Sequence, residues 1–134
     1  MTTIAELQRQ VAEINEANGW RDRGNLLDPH YQVTKVSLIA SEVFEAIEEI
    51  RDGHPMGYTY YSGGESVNLA LFPDDKTDGV GNLRKPEGAP SELADVFIRL
   101  VDICDMWGID LEAAVAEKLA YNATRGHRHG GKTA

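Results

Sequence analysis

A single cysteine, Cys104, occurs in the 134 residues, which excludes an internal disulfide and a cysteine zinc cluster. No apolar run approaches the roughly 18 residues that a bilayer-spanning helix needs, and Met1 to Ala12 holds no apolar core of a signal peptide. The expectation is a cytoplasmic protein with no membrane partner. Basic residues are also scarce, 13 Lys and Arg against 22 Asp and Glu, for a net charge of -9. A nucleic-acid polymer needs a basic face to neutralise its phosphates, so that class of partner is set aside. A small phosphorylated substrate is not, because metal ions can supply the missing positive charge. Internal repeats and low-complexity segments are absent. What remains is a chain of single-domain length with ordinary hydrophobic (42%) and charged (26%) content.

Four amphipathic stretches predict four helices. Thr3-Ile-Ala-Glu6 is a capping box opening the first, with Ile4, Leu7, Val11 and Ile14 as its apolar stripe and Asn18-Gly19 as its stop. Trp20 to Tyr31 reads as a loop. The second helix is expected from about Gln32 to Arg51, ended by Asp52-Gly53. Val36, Ile39, Ala40, Val43, Phe44, Ile47 and Ile50 form its apolar stripe, predicted to face a core. Glu42, Glu45 and Glu49 fall within roughly 60° of one another on a different side.

Residues 54–90 break the helical pattern and read as an insertion between the second and third helices. Gly57 to Tyr61 and Ser66 to Phe72 are β-prone, with Gly63-Gly64 between them, which predicts a β-hairpin. Pro73 to Gly79 reads as turn and Gly81 to Pro90 as loop. Lys76 and Lys85 occupy positions where a calcium loop needs oxygen ligands, so Asp74, Asp75 and Asp78 are not taken as one. Gly79-Val80-Gly81 lacks the strand, helix and lysine of a phosphate loop.

Ser91 is the expected cap of the third helix. Leu93, Val96, Phe97, Leu100, Val101, Ile103, Cys104 and Trp107 make most of its circumference apolar, leaving one narrow polar stripe of Glu92, Asp95, Arg99 and Asp102. A helix apolar nearly all round is expected to be buried, and buried carboxylates need partners. Glu42/Glu45 and Glu92/Asp95 therefore form two acidic pairs, each a helical turn apart, suited to holding Mg²⁺ or Mn²⁺ between helices. Four carboxylates at close range repel without cations between them. The fourth helix is expected from Leu111 to Arg125, capped by Asp110. Leu111, Val115 and Leu119 form its core stripe, and Lys118, Asn122 and Arg125 share another face. Residues 126–134 read as a mobile tail, and His127 and His129 within it are not expected to be ligands.

The pairs Glu42-Val-Phe-Glu45 and Glu92-Leu-Ala-Asp95, with Lys118-Leu-Ala-Tyr-Asn122-Ala-Thr-Arg125, resemble the pattern of the MazG-like family of all-α nucleoside triphosphate pyrophosphohydrolases. Lys85 to Asp95 and Tyr121 to Lys132 are similar to its small stand-alone members, many of them phage-encoded. The resemblance implies an all-α four-helix bundle over residues 1–125, with a hairpin-containing insertion between helices 2 and 3. It implies Mg²⁺, replaceable by Mn²⁺, on Glu42, Glu45, Glu92 and Asp95, and phosphate contacts from Lys118, Asn122 and Arg125. Trp20 matches an aromatic near the base pocket. The implied reaction converts a (deoxy)nucleoside triphosphate to monophosphate and pyrophosphate, in a homo-oligomer (dimer or tetramer). Glu45 or Glu49 is the candidate proton acceptor. The interval between Glu45 and Glu92 is longer than the family's, because of the Tyr-rich insertion. A non-catalytic nucleotide- or metal-binding regulator on the same fold is the alternative, and a purely structural bundle a third reading.

Overall fold

A computed structural model describes residues 1–21, 24–65 and 72–133. In chain order it contains α1 (Ile4–Ala17), α2 (Pro29–Arg51), β1 (Tyr60–Ser62), β2 (Lys85–Glu87), α3 (Ala89–Met106), α4 (Leu111–Ala123) and the single turn α5 (Arg128–Gly131). The molecule is mostly helical, with one small antiparallel sheet between the second and third helices. No helix among the described residues is long and apolar enough to cross a membrane. Two compact units are distinguished, Pro29–Leu100 and Met1–Asp28 with Val101–Ala134.

In the unit formed by the chain's two ends, Thr3 caps α1 as its sequence predicts: Thr3 Oγ1 accepts from Glu6 N–H, and Glu6 Oε2 accepts from Thr3 N–H. α1 packs against α4, whose N-cap Asp110 accepts from Ala113 N–H. Arg21 reaches Asp102 at 2.8 Å and Asp105 at 2.9 Å, so the last member of the α3 polar stripe is occupied by an arginine. Leu119, expected in the α4 core stripe, is exposed, while Asn122 and Arg125 are half-buried along with Leu111 and Val115. Arg125 stands just past the end of α4, which closes at Ala123 with Thr124 as C-cap. The segment expected as a featureless tail carries α5.

In the other unit α2 starts at Pro29, three residues before the expected Gln32. A proline fits a first helical turn, where its missing N–H has no partner to lose. The strand partner of β1 also differs from expectation. β1 pairs with β2 in the register Tyr60↔Glu87, Tyr61↔Pro86 and Ser62↔Lys85. The expected partner, Ser66 to Phe72, lies outside the described residues apart from Phe72. Lys85 to Glu87, expected as loop, is strand: Pro86 has no backbone N–H to donate, and an edge pair of three residues tolerates that. α3 opens at Ala89 with Pro90 in its first turn, so Ser91 is inside the helix and its hydroxyl donates to Pro86 O.

Between β1 and β2 the chain is gathered by Arg84, which is buried at 4% exposure. Its guanidinium donates to the carbonyls of Tyr61, Gly63, Phe72 and Asp75. Asp78 ties the next turn, accepting from the backbone N–H groups of Glu65, Val80 and Asn82.

Candidate metal centre

α2 turns inward a side other than the one its apolar stripe predicts, and Ile39 is the stripe member that falls on it. Val36, Val43, Phe44, Ile47 and Ile50 are all exposed, Phe44 at 64%. The residues turned inward are Leu38, Ile39, Glu42, Ala46 and Glu49, at the same three- and four-residue steps. Glu42 and Glu49 are two helical turns apart, and each carboxylate side chain is only 13% exposed. Glu45, one turn from Glu42, is exposed. α3 differs: of the eight apolar residues named for it only Leu93 is exposed, at 42%, while Val101 and Cys104 are buried and Glu92, Asp95 and Arg99 are half-buried. The expectation that α3 is largely withdrawn from solvent holds for those residues, and its polar stripe is likewise not a solvated face.

The stripes of α2 and α3 meet through their polar groups. Carboxylate oxygens of Glu42, Glu92 and Asp95 come within 4.8 Å of one another, a donor set able to hold a metal ion. Such all-oxygen, all-anionic sets suit hard cations. Glu92 is shared with a second group, Glu49, Glu87 and Glu92, under the same limit. Arg99 Nε donates to Glu42 Oε1 and offsets part of the charge. Burial, then the charges of Asp95, Glu42, Glu45 and Glu87, push the Glu92 carboxyl above its ordinary value. Burial and the Glu42 charge raise Asp95 too, against Arg99 and Lys85, which pull it down.

Glu49 is held differently. Its Oε2 lies 2.6 Å from His54 Nδ1, and both its oxygens lie 3.0 Å from the Tyr60 hydroxyl that donates to them. Burial, followed by the hydrogen bond and charge of Glu49, pushes the Tyr60 phenol up to about 12. Tyr60 is therefore a donor at neutral pH. Glu87 Oε1 accepts from Ser62 Oγ at 2.8 Å and pairs with Lys85 Nζ at 3.2 Å.

Of the residues singled out by sequence, Glu42, Glu92 and Asp95 are brought together. Glu45 is outside both carboxylate groups. Lys118, Asn122 and Arg125 belong to the unit of the chain's two ends. There Lys118 Nζ and the Arg125 guanidinium lie 5.6 and 5.7 Å from the centre of the Tyr121 ring. Lys118 and Tyr121, with Ala114 and Glu117, line a cavity of about 310 Å³. Asn122 Oδ1 is buried without a hydrogen-bond partner among the described residues. Trp20 is 67% exposed in that same unit.

Three residues of the acidic site escape the sequence pattern, Glu87, His54 and Tyr60, as does the pairing of Arg99 with Glu42. For His54 a signal existed. Gly53, at φ +91°, ends α2 in a turn where Gly53 N–H bonds Ile50 O and His54 N–H bonds Glu49 O, so the residue after the glycine folds back on Glu49. No family model, curated protein or solved structure matches this chain.

Proposed function

We propose that this protein is a Mg²⁺-dependent nucleoside triphosphate pyrophosphohydrolase of MazG-like type, releasing pyrophosphate and a nucleoside monophosphate. The observation that carries the reading is the convergence of Glu42, Glu92 and Asp95 from two helices, with their oxygens within 4.8 Å. Nothing in the packing demands three carboxylates there, and burial already works against the charge on two of them. A cation resolves the conflict. When bound, Mg²⁺ supplies charge neutralisation for the triphosphate oxygens and for the departing pyrophosphate.

The chain's own residues would divide the work. Glu42, Glu92 and Asp95 hold the ion, with Glu45 within electrostatic range of Glu92. Glu49, inward-facing and outside the first carboxylate group, takes the proton of the attacking water. The family resemblance assigns phosphate contacts to Lys118, Asn122 and Arg125 and a base contact to Trp20. The exposed apolar residues of α2 are the surface through which copies of the chain pair, because an apolar stripe of this length on a monomer's helix is left uncovered.

A panel of ribo- and deoxyribonucleoside triphosphates with Mg²⁺, scored for pyrophosphate release, tests the proposal. Turnover is expected for at least one nucleotide and none with excess chelator. Asp95→Asn and Glu42→Gln should each lower kcat by about 100-fold or more at an unchanged fold. Wild-type activity in both variants, or tight nucleotide binding without turnover, removes the hydrolase reading; the latter leaves a nucleotide-binding regulator.

A further inference from the structure

We infer that His54 and Tyr60, supplied by the insertion, are positioning residues that fix Glu49 as the proton acceptor of the hydrolysis; this rests on the function proposed above. A glutamate side chain has three rotatable bonds, and an acceptor that must meet one water in one place works poorly while it samples them. Here the freedom is removed from two sides. The turn at Gly53 returns the chain onto Glu49, so His54 bonds it twice, main chain to main chain at 3.2 Å and ring to carboxylate at 2.6 Å. Tyr60 closes the other side with its hydroxyl 3.0 Å from each oxygen.

The two donors are themselves fixed. The His54 ring lies 4.8 Å from the Tyr60 ring, and Tyr60 stacks on Tyr58 at 5.5 Å with the planes 21° apart. Tyr58 is seated in turn by Gly88 at the mouth of α3, where a Cβ would stand 2.2 Å from Tyr58 O. Oε2 is taken by His54 and Tyr60, which leaves lone-pair capacity on Oε1, bonded by Tyr60 alone. An oxygen of Glu49 also lies within 4.8 Å of one of Glu92, the residue shared with the Glu42 and Asp95 group. Glu49 thus stands beside the proposed ion-holding trio, in the second carboxylate group that shares Glu92. In the step, the water oxygen bonds to phosphorus as the bond to the leaving phosphate oxygen breaks. The leaving oxygen keeps the electron pair, and the water proton passes to Glu49.

The test compares variants that lose the donor with one that keeps it. Tyr60→Phe and His54→Phe should each lower kcat roughly tenfold or more, with KM and Mn²⁺ affinity by calorimetry within about twofold. His54→Gln, which retains an N–H donor, should recover most of the His54→Phe loss. In a Glu49→Gln background, where kcat is already down on the order of 100-fold, neither change should cost more, since both act through Glu49. Unchanged kcat in Tyr60→Phe and His54→Phe with normal melting, a loss that persists undiminished in the Glu49→Gln background, or a loss confined to KM overturns the inference while the hydrolase stands. A wild-type protein that turns over no nucleotide overturns both.

Discussion

Ionised carboxylates that crowd one another act against folding, and the sign of the effect is set by the direction of each shift. Glu92 and Asp95 are raised, so their ionised forms cost stability above the shifted pKa values, and the cost fades as pH falls through them. Metal-free protein should therefore gain stability as the pH is lowered from 8 toward the ordinary carboxylate range, measured by scanning calorimetry with chelator. Asp78 works in the opposite sense. Burial pushes its carboxyl up, but the backbone N–H groups of Asn82, Glu65 and Val80 outweigh this and hold it below the ordinary range. Its contribution is present above the usual carboxylate pKa and is lost as the medium becomes more acidic still, so stability should turn over rather than climb without limit. Glu92→Gln should raise the metal-free melting temperature by roughly 3 °C at pH 8 and erase stabilisation by Mg²⁺; a lower melting temperature would contradict like-charge crowding. At Gly88, alanine meets both an unfavourable φ of +106° and the Tyr58 carbonyl. Gly88→Ala should cost on the order of 2 kcal/mol or more in chemical denaturation.

At the scale of helices, the caps were legible except at Ser91, and the facing of α2 was not. Thr3 with Glu6, Asn18-Gly19, Asp52-Gly53 and Asp110 act locally, and each appears where its sequence puts it. The stripe of Val36, Val43, Phe44, Ile47 and Ile50 has the right period for a helix, but period alone does not say what covers an apolar face. Within the chain α2 turns Glu42 and Glu49 in, and most of its apolar stripe stays open. Strand pairing was illegible for a related reason. Ser66 to Phe72 carries the stronger β pattern, while Lys85-Pro86-Glu87 is strand through its long-range register with β1, which no local signal encodes. If the open face of α2 is where copies pair, Ile47→Glu together with Phe44→Glu should convert an oligomer to monomer in sedimentation velocity. A wild-type monomer at tens of micromolar would remove that reading.

For the molecule as a whole, the carboxylate pairing was legible in the sequence as Glu42 with Glu92 and Asp95, because two acidic stripes on two amphipathic helices have few ways to be satisfied apart. Glu45 was not distinguishable from Glu49, since a 60° spread on one face does not reveal which member faces inward. The insertion turns out to be part of the site, through Tyr60 and Glu87, and not an appendage to it. Its construction has a further consequence. The chain leaves the sheet at Ser62 and returns at Lys85, directly opposite. Three of the four carbonyls held by Arg84, and Arg84 itself, lie within that excursion. Among the described residues the excursion is fastened to the sheet at Tyr61, whose carbonyl accepts from Arg84 and whose N–H donates to Pro73 O, so residues 63–84 can be treated as an exchangeable cassette. Exchanging them for a two-residue Asn-Gly turn should leave Tyr60 and Glu87 in register, giving a shorter protein that can accept other loops at the same junction.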